Sequence, residues 1–236
     1  MHKIAWQLMG SGIPVAILPL GTANNLARTL GFTAPVDEVL QSLHRGKARS
    51  FDIGAARSSS RSTYFLEAAG GALFADYFPV AKASKEKGAS PDEELAANLS
   101  LLRELALNYS ASYWKIIIDG EDISDHYILW GAMNTRSAGP SLHLAPNAAT
   151  DDGRLDFVAV RELFIRHVDA HLAGRKKRVP LRPRKCRELT ITSPSGAIHL
   201  DGKRWPKRQN FDDERMVKIG MHPAALLIWQ APAYHT

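Results

Sequence analysis

An aliphatic run that passes within a few residues into an Asn-rich helix start, "ILPLGTANNLAR" at residues 17–28, constrains this chain more than any other feature. Pro14 to Leu20 is a short apolar stretch bounded by Pro and Gly, the pattern of a strand buried on both faces of a parallel sheet. From Ala23 onward, Leu26, Ala27 and Leu30 fall at helical spacing, and Gly31 stands where a helix C-cap is expected. The spacing predicts a tight strand-to-helix turn at Gly21-Thr22-Ala23-Asn24-Asn25, with Thr22 as the N-cap. Such a turn would aim unpaired amides outward at the positive end of a helix dipole, a setting suited to phosphate or another anion. The plainer alternative is an ordinary capped helix in an α/β domain. It is not a Walker A loop, because no Lys follows the Gly at the required place.

With 236 residues, the chain can bury a substantial core as one large domain or two small ones. No apolar run approaches the roughly 20 residues that span a bilayer. Residues 1–20 lack the basic–apolar–small order of a signal peptide, and the single cysteine, Cys186, excludes an internal disulfide. A cytoplasmic chain, peripheral at a membrane, is the expectation. The net charge of +6 is concentrated in "RKKRVPLRPRKCR", Arg175 to Arg187, with eight basic residues and no acidic one. This stretch suits an anionic surface such as acidic lipid headgroups, or else is a solvated loop. Its two prolines and lack of aromatic residues argue against a nucleic-acid platform.

Ile4, Leu8 and Met9 give a partial helical face that ends at Gly10-Ser11-Gly12, so the chain is expected to start inside or just before a helix. One helix–strand–helix passage cannot make a doubly wound sheet, so the α/β part is either incomplete or finished by distant segments. After a second helix near Val36 to Leu43, "RSFDIGAAR" and "STYFLEAAGG" read as two strands, followed by an apolar segment ending at Pro79. Residues 81–94 read as a mobile connection, and Leu95, Leu99, Leu102, Leu105 and Ala106 mark an amphipathic helix. Asp119-Gly120 predicts a hairpin, and Asp152-Gly153 and Asp201-Gly202 two further turns. The expected fold class is α/β plus all-β. A partial doubly wound domain at 1–49, completed by 216–236, is joined to an antiparallel β-sandwich at 50–215 with helical insertions near 95–108 and 162–173.

The segment "PLGTANNLAR" is similar to the Pro-x-Gly-Thr-x-Asn-Asp-x-Ala-Arg motif of the diacylglycerol kinase catalytic-domain family, which includes bacterial lipid kinases and sphingosine kinases. "FDIGAA", "FLEAAGGALFADYF", "APNAATDDGRLDFVAV" and "IHLDGKRW" follow in the family's order. The resemblance implies a nucleotide-binding α/β domain facing a β-sandwich across a cleft, with ATP giving its γ-phosphate to a lipid alcohol and Mg2+ bound. It implies phosphate contact by Thr22, with Gly21 and Asn24 shaping the loop. Asp152 matches the family's magnesium carboxylate, and the carbonyls of Ala149 and Arg154 match its backbone ligands; oxygen donors suit a hard cation. A plain turn at Asp152-Gly153 is the alternative.

Two departures stand out. The family's Gly-Gly-Asp-Gly-Thr phosphate loop occurs nowhere in these residues, and a missing N-terminal portion is the expected explanation. Where the family has Asp-Gly-Glu, whose Glu is placed to take the acceptor's proton, this chain has Asp201-Gly202-Lys203. A Lys at its usual pKa is protonated at neutral pH and cannot serve as that base. Asp201 is read as a turn residue, Lys203 as a residue that could steady phosphate charge, and no catalytic residue is assigned. Asp119-Gly120-Glu121 is read as a turn, and Asn25 replaces a family Asp. His167 and His171, four apart, read as an exposed helix face; Cys186 sits among cations expected to lower its pKa; Trp205 and Trp229 read as packing. A non-catalytic relative that binds anionic lipid through Arg175 to Arg187 is the competing reading, and a homo-oligomer is left open.

Overall fold

The structure, a computed structural model, describes residues 2–85, 88–176, 179–192, 196–205 and 216–230. The chain opens with α1 (His2–Leu8), β1 (Pro14–Val15), α2 (Asn25–Thr29) and α3 (Val36–Ser42). Then come β2 (Lys47–Arg57), β3 (Ser62–Phe65), β4 (Ala68–Ala72), α4 (Leu73–Ala83) and α5 (Pro91–Leu107). The middle holds β5 (Ser112–Ile118), β6 (Glu121–Asp122), β7 (Asp125–Tyr127), β8 (Leu129–Met133), β9 (Ser137–Ala138) and β10 (Leu142–His143). It closes with β11 (Leu155–Val160), α6 (Ile165–Leu172), β12 (Arg184–Cys186), β13 (Glu188–Thr192), β14 (Ile198–Leu200), β15 (Lys203–Trp205) and β16 (Val217–Gln230).

Two antiparallel sheets make the sandwich. One runs β3-β2-β16-β13-β5-β6, and the other runs β12-β11-β8-β4-β14-β15. Their facing sides bury Phe65, Trp114, Ile116, Ile118, Trp130, Ile191 and Ile219 in one cluster, with the Trp114 and Trp130 rings edge to face at 5.3 Å. The other face of the second sheet is covered by α4, α5 and α6, where Leu73, Phe74, Leu102, Leu129, Val158 and Val168 meet. This is why β4 and β8 are apolar at every position: both faces are covered, so side-chain alternation is lost. The α5 start carries a full capping box, in which the Ser90 side chain accepts from the Glu93 amide and Glu93 accepts from the Ser90 amide.

The long pair β2–β16 carries both halves of the molecule. On one side of a bulge Lys218 to His222 pair with Arg57 to Ile53, and on the other Leu226 to Gln230 pair with Phe51 to Lys47. The first half of β16 also pairs with β13 in the sandwich, and the second pairs in parallel with β1, Pro14 opposite Leu227. A separate core of Ala5, Ile17, Leu26, Leu30, Phe32 and Val39 packs against Phe51, Ile53, Leu226 and Ile228. The C-terminal apolar run therefore returns to the N-terminal helices, as the parallel α/β part required.

Several expectations are corrected. The strand expected over Pro14–Leu20 is only Pro14–Val15, because one parallel neighbour is all it finds among the described residues. The helix after the turn starts at Asn25, with Asn24 as N-cap in a left-handed conformation (φ 50°), so Thr22 is not the cap. The single strand read in "STYFLEAAGG" is two strands in different sheets, with Leu66 and Glu67 as the crossover. The apolar segment through Pro79 is α4, and the connection expected over 81–94 is occupied at its two ends by α4 and α5. Among the described residues no helix is long and apolar enough to cross a membrane.

At the β16 bulge, the buried Asp52 carboxylate (1% exposed) accepts from the amides of Ala224 at 2.7 Å and Gly153 at 2.6 Å. Its own backbone N–H donates to the Thr150 carbonyl, and its carbonyl accepts from the Asn134 side chain. Replacing Asp52→Ala strands these donors and is expected to lower unfolding free energy by about 1–3 kcal/mol in chemical denaturation, with Asp52→Asn losing less.

Candidate functional site

Four stretches far apart in the chain line one cleft of about 410 Å³: the turn and helix start at residues 21–27, the crossover at 66–68, Ala138-Gly139, and residues His199, Asp201 and Gly202. Ile17, Leu18 and Phe78 form apolar walls. Its volume is that of an ordinary small-ligand site.

Gly21, Thr22 and Asn24 all line this cleft. The turn is not open, however. The Gly21 amide donates to Asn24 Oδ1 at 2.7 Å, Asn24 Nδ2 donates to the Pro19 carbonyl at 3.2 Å, and Thr22 is hydrogen-bonded to the Glu94 carboxylate. Glu94 is in turn ion-paired with Lys85 at 2.9 Å. Helix α2 has only five residues, so its dipole adds little; what the turn offers an anion is backbone amides after Asn24 and Glu94 give way.

Asp201 does more than make a turn. It sits with φ 46° beside Gly202 at φ 74° in the two-residue loop joining β14 to β15, the left-handed pair that a tight hairpin needs. Its carboxylate reaches across to the crossover and accepts from the amides of Leu66 at 2.7 Å, Glu67 at 2.8 Å and Ala68 at 2.9 Å. Three donors that leave one sheet before entering the other are thus satisfied by a single side chain. Lys203 begins β15, is exposed, and is not among the residues lining the cleft, so it does not stand where a phosphate in the cleft would be.

Glu67 is the residue that sequence reasoning missed. Burial, then the negative charge of Asp201, push its carboxyl up to about 7, while a hydrogen bond with the Asn25 side chain pulls the other way. The available signal was one acidic residue inside the otherwise apolar "FLEAAGG". Asn25 also donates to the Gly139 carbonyl at 3.0 Å. His199 lines the same cleft, and burial pushes its pKa down to about 3, leaving the ring neutral.

Two family models match the chain. The diacylglycerol kinase catalytic domain matches residues 1–56, and the YegS C-terminal NAD kinase beta sandwich-like domain matches residues 79–182. The chain is thus similar to diacylglycerol kinase-type lipid kinases in two separate stretches, each less than half of its length. A curated relative from Shewanella frigidimarina, named "Probable lipid kinase YegS-like", is 26% identical over 151 residues; the match covers 63% of this chain and 46% of that relative. The chain thus matches about half the length of that relative. A solved structure described as a diacylglycerol kinase from Bacillus anthracis superposes with TM-score 0.66 at 20% identity, covering 93% of this chain and 70% of that one. Another from the same organism gives 0.67 at 21%, covering 93% and 69%. At these identities they speak for the shared fold.

The residues expected to hold magnesium are not gathered with the Gly21–Asn25 turn. Asp152 and Arg154 line a shallow depression with Arg187, Met221 and Pro223, and Ala149 lines another beside Arg49 and Arg136. The Asp152 carboxylate is already engaged: one oxygen accepts from the Arg154 amide at 3.1 Å, and the other is held by the Lys185 ammonium. Lys185 also reaches Asp156 at 3.5 Å. An ammonium where a cation would sit satisfies these carboxylates, so the residues present do not fit magnesium. Among the described residues no cluster of three or more His, Cys, Asp and Glu gathers elsewhere, and His167 and His171 are not part of one.

Three of the six described basic residues of the basic stretch are in ion pairs. Arg175 pairs with Asp169, Arg184 with Glu121 at 2.7 Å, and Lys185 as above; Lys177 and Arg178 lie outside the described residues. Cys186 is buried, and burial with nearby Asp119 and Asp156 pushes its thiol up to about 12, the reverse of the expected lowering. Trp229 donates to the Leu43 carbonyl at 2.7 Å and Trp205 packs at the sandwich core, both structural as expected. EDTA is expected to leave the thermal midpoint of the wild-type chain unchanged. Lys185→Ala should instead acquire a midpoint that rises on adding magnesium, as followed by scanning fluorimetry.

Proposed function

We propose that this chain is an ATP-dependent lipid kinase that moves the γ-phosphate of magnesium–ATP, taken as substrate, to the hydroxyl of a lipid alcohol such as diacylglycerol. The observation that carries this reading is one cleft that brings the Gly21–Asn25 turn opposite two carboxylates, Glu67 and Asp201. Phosphoryl transfer asks little covalent chemistry of a protein. It asks for phosphate positioning on one side and a proton acceptor near the attacking hydroxyl on the other. Amides of the turn, with Thr22 once released from Glu94, suit the first task, and the apolar walls Ile17, Leu18 and Phe78 suit a lipid's hydrocarbon next to its polar end. Among the described residues no Lys or Arg lines the cleft, so in this reading phosphate charge there is met by amides and by the metal that travels with the nucleotide.

The second reading is a non-catalytic relative that binds anionic lipid. It is favoured by the closed state of the turn and by Lys203, and weakened by the ion pairs of the basic stretch. A lipid substrate would place the protein at a membrane surface without a spanning helix. The two readings separate in an assay of radiolabelled ATP with diacylglycerol dispersed in detergent micelles. Labelled phospholipid is expected, and Thr22→Ala should cut kcat/KM by about 10- to 100-fold, the scale of one hydrogen bond to a charged group. If no lipid alcohol becomes labelled while acidic liposomes still bind the chain, the kinase reading is replaced by the second.

A further inference from the structure

We infer that Glu67 is the catalytic base of this transfer, accepting the proton of the lipid hydroxyl, and that Asp201 is the residue that positions it. The inference rests on the lipid-kinase reading and supplies the one role that reading leaves open, since Lys203 is exposed and off the cleft.

The geometry is specific. Glu67 sits in the two-residue crossover between the sheets, and its backbone is clamped from both sides. Its N–H donates to Asp201 Oδ1 at 2.8 Å, and its carbonyl accepts from the amides of Asn134 at 2.8 Å and Thr135 at 3.1 Å. A residue held this way cannot drift, and its side chain lines the cleft beside Asn25. A residue lining the cleft also carries a buried polar atom without a partner, Asn25 Oδ1, on a side chain 6% exposed. A buried polar atom left unpaired is costly, so it points to a polar ligand beside the Glu67 carboxyl. An alcohol end of a lipid, with a hydroxyl group that donates and accepts, matches it.

The environment sorts the groups by task. Among the described residues, Asp201 and His199 are the other titratable side chains lining the cleft, Glu94 lies beyond Thr22, and no Lys or Arg lines it. His199 is neutral, and Asp201 is occupied with three amides. Glu67, raised to about 7, is both substantially ionised and basic enough near neutral pH, the combination a proton acceptor needs. In the reaction, the bond from the lipid oxygen to the γ-phosphorus forms as the bond from that phosphorus to the bridging oxygen of ATP breaks. ADP leaves, the hydroxyl proton passes to the Glu67 carboxylate, and water later removes it.

The test uses the chain with magnesium–ATP and diacylglycerol micelles, and a fluorescent ATP analogue to measure nucleotide binding. Glu67→Gln, equal in size and uncharged, is expected to lose about 10²- to 10⁴-fold in kcat while the analogue's Kd changes less than about threefold, with Glu67→Asp recovering part of the rate. The wild-type rate should rise with pH and reach half its plateau near about 7. A Glu67→Gln enzyme within about threefold of an active wild type overturns the inference and leaves the kinase reading standing. Should that variant not fold, a wild-type rate flat from about pH 5.5 to about 8.5 overturns it equally. A wild type that neither binds the analogue nor labels lipid overturns the kinase reading, and the inference with it.

Discussion

One long antiparallel pair, β2 with β16, is the constraint on which the rest of the molecule depends. Its two ends serve different cores: Ala56 and Ile219 lie between the sandwich sheets, while Phe51, Ile53, Leu226 and Ile228 pack under the N-terminal helices. A continuous flat ladder could not serve both directions. The bulge between His222 and Leu226 bends the pair, with Ala224 at φ 50°, and Asp52 satisfies the amide that the bulge removes from the ladder. Because the same carboxylate also holds Gly153, the strand that joins the two halves is tied to the loop entering β11.

A second carboxylate repeats this logic at the cleft. Passing a chain from one sheet to another leaves amides without ladder partners, and Asp201 accepts three of them at Leu66, Glu67 and Ala68. The solution has a chemical consequence. The acid that solves a backbone problem stands next to Glu67, and its charge together with burial shifts Glu67 toward neutral pH. Fold and candidate chemistry are coupled through one side chain.

Much of this was legible in the chain. Leucines at helical spacing placed α5, the apolar "HPAALLIWQ" announced a segment that returns to the N-terminal part, and the Asp-Gly pairs marked turns at 119–120 and 201–202. The Gly-Thr-Ala-Asn-Asn turn lines the cleft. Its cap is Asn24 and not Thr22, since both residue types cap helices and the choice lies with the local backbone, which puts Asn24 in the left-handed state, where its side chain takes the Gly21 amide. "STYFLEAAGG" read as one strand because periodicity carries no mark of a change of sheet. Asp152 looked like a cation ligand because its partner, Lys185, lies far along the chain in the basic stretch. Part of that stretch looked free because the carboxylates that pair with Arg175, Arg184 and Lys185 come from Asp169, Glu121 and Asp152.

By itself the sequence determined the order of the motifs and the tight turn at residues 21–25. These depend on neighbours within a few residues, where backbone preference and side-chain period act. Only the tertiary structure decided which charges share a space: Glu67 with Asp201, Asp152 with Lys185, Thr22 with Glu94. Those pairings follow from sheet register and from where a strand leaves one sheet for another, and a carboxyl's proton affinity is set by what register brings beside it.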